Sequence, residues 1–156
     1  MKSKIFIACL LGILSVTTKI YGSTPKANPG LDSAIIKFMT GIVTSDYKKL
    51  DEVLAENLFL KVPHLDKVMI YNKSTMLQDI KSRNGMQHDF KTNYVVLEEC
   101  DAFAIVQIDF NYGNTIMRNF IVLENTPEKE WKITQVFESF KTISSSDPTG
   151  SIIAGK

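Results

Sequence analysis

The sequence predicts an α+β fold in which helices cover one face of a mainly antiparallel sheet. Two observations carry this. Apolar residues recur at helical spacing through the first third of the folded part, from Leu31 to Leu58. Four strand-like segments then follow one another from Asp89 to Phe140. Helices and strands segregated in this way, rather than alternating, argue against parallel βαβ units. The 156 residues, 44% hydrophobic and 22% charged, suit one domain with a single core.

Met1 to Gly22 reads as a secretory signal peptide. Lys2 and Lys4 precede an apolar run, Ile5 to Val16, that is too short to span a bilayer as an ordinary helix. Cleavage is expected after Gly22, which places the mature chain in a periplasm or outside the cell. Losing Lys2, Lys4 and Lys19 leaves 15 basic residues against 17 acidic ones. The mature chain is then weakly acidic with no basic stripe, so nucleic acid is not an expected partner. No membrane association is expected after cleavage. Cys9 leaves with the signal, which makes Cys100 the one remaining thiol and excludes an intramolecular disulfide. A semi-buried Cys100 near a strand end is expected.

Ser23 to Gly30, with two Pro and one Gly, reads as a flexible tether, and the domain proper as residues 31–142. Leu31, Ala34, Ile35, Phe38, Ile42 and Val43 form one helical stripe. Asp46 caps a second helix carrying Leu50, Val53, Leu54 and Leu58. Phe59 to Val62 is a short strand stopped by Pro63, and Lys67 to Tyr71 is another. Ser74 caps a third helix, with Met76, Leu77 and Ile80 on its buried side and Asn84-Gly85 as its stop. His88 to Leu97, Ala102 to Asn111, Ile116 to Glu124 and Trp131 to Phe140 are the four strands of the main sheet. Residues 143–156, rich in Ser, Gly and Pro, read as a disordered tail.

Gly113-Asn114 suits a tight hairpin turn and fixes the register of the middle hairpin. One face then pairs Phe110 with Met117, Ile108 with Asn119, Val106 with Ile121 and Ala104 with Leu123. This face should be core. The other pairs Asp109 with Arg118, Gln107 with Phe120, Ile105 with Val122 and Phe103 with Glu124. A one-residue slip would exchange the two faces. Phe103, Ile105, Gln107, Phe120 and Val122 make that second face too apolar for simple solvation. It is expected to be the interface of a homodimer stacked sheet to sheet.

The segments Phe38 to Phe59, Met69 to Lys73, Gly85 to Phe90, Ala104 to Ile108 and Glu130 to Ile133 resemble the nuclear transport factor 2-like (NTF2-like) superfamily. Within it, the closer likeness is to a bacterial group named for lumazine binding. The resemblance implies a cone-shaped fold, three helices packed on a curved sheet, with a cavity between them. Enzymes of that superfamily use an Asp, or a His-Asp pair, with Tyr or Asn hydrogen-bonding the substrate.

No catalytic motif stands out from the residues themselves. His64 and His88 read as solvated boundary residues. No His or carboxylate spacing suggests a metal, and no Gly-rich loop suggests a phosphate cofactor, so none of either is expected. Asp109 and Arg118 read as an exposed cross-strand ion pair of little energetic weight. Tyr71, Tyr94, Asn119 and Trp131 are the candidate ligand-binding residues. The expected function is an exported, non-catalytic small-molecule-binding or interaction module with a cavity between helices and sheet, and the expected ligand is small and apolar. The alternative is an isomerase, dehydratase or hydrolase, and a cavity carboxylate with a raised pKa would favour it.

Overall fold

The computed structural model describes residues 28–83, 86 and 88–143. The predicted signal peptide, most of the tether and the tail beyond Ile143 lie outside them.

Helix α1 runs Pro29–Val43. The Asn28 side chain caps it by accepting from the Leu31 N–H, and Pro29 occupies the first turn, where its missing N–H costs nothing. Pro29 and Gly30 thus belong to the helix, not to a tether. The buried stripe is Leu31, Ala34, Ile35 and Phe38, as the spacing predicts. The chain then turns through Ser45, which is fully buried at φ 50°. Asp46 caps α2 (Tyr47–Val53) by accepting from the Lys48 and Lys49 N–H groups. Gly41 lets the two helices close on each other, because a Cβ there would lie 2.7 Å from Leu50 Cγ.

The second helix is shorter than predicted. The backbone becomes extended at Leu54, and strand β1 (Leu54–His64) begins there. Leu54 and Leu58 are both buried. A separation of four returns to one face in a helix and in a strand, so spacing alone does not distinguish them. Parallel pairing of β1 with the last strand, Leu54 opposite Ile133, decides for the strand. Pro63 does not stop β1, which pairs on to His64 opposite Lys67 of β2 (Lys67–Asn72). The last pair with the final strand is Lys61 with Phe137, so Pro63 lies where β1 has one neighbour only and a missing donor is tolerated.

Asn72, not Ser74, caps α3 (Lys73–Ser82), accepting from Thr75 N–H at 2.9 Å. The Asn84-Gly85 stop lies outside the described residues. Lys73 ties the start of α3 down, with Nζ 2.8 Å from Asp51 and 2.6 Å from Glu56. Strand β3 (Lys91–Glu99) starts later than His88, and β4 (Phe103–Tyr112), β5 (Thr115–Asn125) and β6 (Trp131–Thr142) follow.

The sheet has six strands in the order β2-β1-β6-β5-β4-β3. It extends the predicted four by adding β1 and β2 beyond β6. The β1–β6 contact is parallel and the rest are antiparallel. The β4–β5 register is the one read from Gly113-Asn114, with Asp109 opposite Arg118 and Ile108 opposite Asn119. Val106, Ile108, Phe110 and Ile121 are fully buried in one cluster with Phe38 and Leu54.

On the outer face, Phe103 is exposed, while Ile105, Gln107, Phe120 and Val122 are half-buried. Asp109 departs from the expected exposed pair. It is 7% exposed and is gripped by Arg118 through two parallel bonds of 2.8 Å. Cys100 is exposed rather than semi-buried; it sits in the β3–β4 turn, where its sulfur accepts from the Phe103 N–H.

Candidate functional site

A cavity of about 610 Å³ lies between the last turns of α1 and α3 and the helix-facing side of the sheet. Ile42 closes it from α1, and Met76 and Ile80 from α3. Leu60 and Val62 of β1, Met117 of β5 and Phe140 of β6 form its sheet wall, and Phe90 adds a ring at one side. These are the side chains that alternation on a sheet, and i, i+4 spacing on a helix, direct to the same space.

Polar groups interrupt this apolar wall. Tyr71, Thr75, Tyr112 and His88 lie on the wall, and the His88 ring stacks on Phe90 at 4.9 Å. Its Nε2 is 3.5 Å from Ser45 Oγ. His88 is therefore a cavity residue rather than a solvated boundary one, while His64 is exposed at the end of β1. Asp79 of α3 and Arg83, the residue that follows its last turn, form an ion pair with each other at the cavity wall.

Glu138 of β6 is the remaining polar lining residue. It is half-buried, and no hydrogen bond joins its carboxyl to another described residue. Burial pushes its pKa above the ordinary glutamate value. Arg83 acts against that shift and Asp79 with it. Arg83 is shared between the two carboxylates, since it also pairs with Asp79.

Of the four candidate ligand-binding residues, Tyr71 alone lines the cavity. Asn119 is 2% exposed and sits directly across the strands from Glu138, but it is not a lining residue. Tyr94 turns to α1 instead. Its hydroxyl donates to Asp32 at 3.1 Å, and burial together with that carboxylate raises its pKa. Trp131 packs beneath the first turn of α1, where a Cβ on Gly30 would meet its ring at 3.2 Å. The cavity adjoins the other end of that helix, roughly 20 Å away at 1.5 Å per residue.

Glu138 was not among the sequence candidates, for a physical reason. Trp131 and Ile133 face the core at odd positions, but Val136 and Glu138 face it at even ones. A bulge changes the parity between them, since Val122 pairs with Gln135 while Leu123 pairs with Ile133. Alternation counted forward from Trp131 therefore places Glu138 on the wrong face. Counting across from Asn119 would have placed it correctly.

Among the described residues, no three His, Cys, Asp or Glu side chains cluster as metal ligands. No helix among them is long and apolar enough to cross a membrane.

No protein-family model and no curated protein sequence matches the chain. Solved structures do. An NTF2-like protein of unknown function from Silicibacter pomeroyi aligns with TM-score 0.64 at 8% identity, over 72% of this chain and 94% of that one. One from Methylobacillus flagellatus gives 0.61 at 11% identity, over 77% and 98%. A ketosteroid isomerase-like protein from Erwinia carotovora gives 0.58 at 12% identity, over 74% and 95%. The chain has the NTF2-like fold: three helices packed on a six-stranded mixed sheet. Identities this low speak to the fold and not to the activity.

Proposed function

We propose that the protein is an exported module that binds a small, mostly apolar molecule in the cavity between its helices and sheet. The observation that carries this is the cavity itself. Its volume of about 610 Å³ lies within the range of small-molecule sites, and its wall is mainly aliphatic and aromatic. Export rests on the basic start and apolar run before Gly22. A probe of bicyclic size, titrated by NMR, tests the binding reading. Shifts should concentrate at Met76, Phe90, Met117 and Phe140. Shifts confined to the outer face, or none at saturation, would refute it. Recovery of the protein from its native host with Met1 to Gly22 still attached would refute export.

Glu138 favours a second reading, proton transfer on the bound molecule as in an isomerase or dehydratase. A half-buried carboxyl with a raised pKa suits a general acid or base. A ligand recovered chemically unchanged after long incubation, with no exchange of its acidic protons into deuterated water, would exclude this and leave binding alone.

A further inference from the structure

We propose that a second pocket, beside the first half of α1, binds the carboxylate of a small organic acid. It shares no residue with the cavity at the other end of that helix, so it stands or falls independently of the reading above.

The pocket has a volume of about 420 Å³ and lies where α1 meets the end of α2 and the start of β6. Helical spacing brings Gly30, Ser33 and Lys37 to one side of α1. Trp131 opens β6 beneath them. A Cβ on Gly30 would meet Trp131 Cδ1 at 3.2 Å and Nε1 at 3.6 Å, so the glycine lets the N–H edge of the indole lie against the first turn of the helix. Trp131 is only 7% exposed, and its N–H has no hydrogen-bond partner among the described residues. A buried indole N–H ordinarily finds one. Nor is this N–H sealed in the core, so it opens on the pocket that Trp131 lines.

The acidic groups of the wall are already engaged. Lys37 holds Glu52 at 2.8 Å, and Lys132 holds Glu130 at 3.0 Å. Lys132 also donates to the Glu52 carbonyl oxygen at 2.7 Å. Asp32, in the first turn of α1, accepts from Tyr94 and does not line the pocket. The donors are not engaged. The Trp131 N–H, the Ser33 hydroxyl and the Lys129 ammonium have no partner among the described residues. Lys129 sits at φ 65° in a turn closed by its own N–H to Thr126 and by the Thr126 N–H to Glu130. Three lysines against two glutamates leave one positive charge, and the start of α1 adds a partial one. An indole and an ammonium donate and cannot accept. A ligand cation would therefore meet an unbalanced lysine and no free acceptor. A dianion would bring one charge too many beside Glu52 and Glu130. A single carboxylate matches, with the indole N–H for one oxygen and the Lys129 ammonium for the other, and with Ala34 and Val53 as apolar wall for its body.

The chain has one tryptophan, so one indole N–H signal in the NMR spectrum reports on this pocket. The test titrates benzoate, benzamide and benzylamine, one shape in three charges, at about pH 7, where the benzoate carboxyl is ionised. Benzoate should shift the indole signal to saturation. It should bind about tenfold tighter than benzamide, the difference between a charge-assisted and a neutral hydrogen bond. Benzylamine should leave the signal unmoved. Lys129→Gln, in an exposed loop, should bind benzoate about tenfold more weakly and benzamide as before. Benzoate shifts confined to Met117 and Phe140, with a silent indole, would put the acid in the cavity and overturn the proposal. So would three probes that bind alike, or full benzoate affinity in Lys129→Gln, since either would mean adventitious uptake only. If no probe moves the indole signal, its N–H serves water alone and the proposal fails, while the reading of the cavity is untouched.

Discussion

Two neighbouring rows of residues cross the same strands on opposite faces of the sheet, and each carries one carboxyl. On the helix side, Tyr94, Ile108, Asn119 and Glu138 lie in line. On the outer side, the line is Asn93, Asp109, Arg118 and Ser139. Asp109 is the more buried carboxyl, yet Arg118 satisfies it with a two-pronged pair. Glu138 is less buried and has no such partner. The two carboxyls thus differ in their partners as well as in their depth: Arg118 satisfies Asp109, and no described residue hydrogen-bonds to Glu138.

The largest effect should come from the apolar member of the inner row. Ile108 is fully exposed to neither solvent nor cavity, being 0% accessible between the sheet and the helices. Ile108→Ala removes methyl groups from a packed core and should cost about 2–5 kcal/mol in urea denaturation. A loss below about 1 kcal/mol would mean that the helix-facing row is not packed.

Next comes the satisfied carboxyl. Asp109→Ala strips Arg118 of its partner, and hydrogen bonds to charged groups are worth about 1.5–3 kcal/mol. Arg118 is partly exposed and can be rehydrated, so the loss should fall nearer about 1–2 kcal/mol. A cost close to zero would return the pair to the class of exposed ion pairs that sequence reasoning assigned it.

The unsatisfied carboxyl should behave in the opposite way. Glu138 has a folded pKa above its unfolded value, so the native state binds this proton more tightly than the unfolded chain does. The stability it contributes is complete below the ordinary glutamate range and is lost as pH rises through the folded pKa. Glu138→Gln removes that loss. At alkaline pH the variant should be more stable than the wild type. At acidic pH the two should converge. A variant destabilised at every pH would show that the carboxylate is a structural partner after all.

The outer row was legible in the sequence and half of the inner row was not. Gly113-Asn114 fixes the β4–β5 register through local turn chemistry, and every pair from Asp109–Arg118 to Phe103–Glu124 follows from it. What the sequence could not place depends on contacts distant along the chain. Leu54 leaves the helix because Ile133 is there to pair with it. Glu138 faces the cavity because of the bulge beside Leu123. Tyr94 and Trp131 are aromatics on strands, but the nearness of Asp32 and Gly30 on α1 holds them away from this cavity. Tyr71 reached the cavity through the β1–β2 pairing, which its own segment also encoded.

The smallest effect on stability should come from the outer face beside Asp109, and there the decisive readout is mass. Ile105 and Val122 are opposed on β4 and β5 and only half-buried. Phe103 is 40% exposed at the end of the same patch. No helix among the described residues packs on this side, because α1, α2 and α3 all contribute to the core on the other. Two copies stacked sheet to sheet about a two-fold axis would cover the patch, and the apolar centre would make the pairing insensitive to salt. Ile105→Lys with Val122→Lys places four like charges at the centre of such a stack. It should halve the mass measured by light scattering, while changing the unfolding free energy of the monomer by about 0.5 kcal/mol or less, as surface substitutions do. A wild-type chain that remains monomeric at the highest concentration would remove the dimer. The semi-apolar outer face would then be solvated in the free protein, and the helix-facing cavity would stand as the site for a partner molecule.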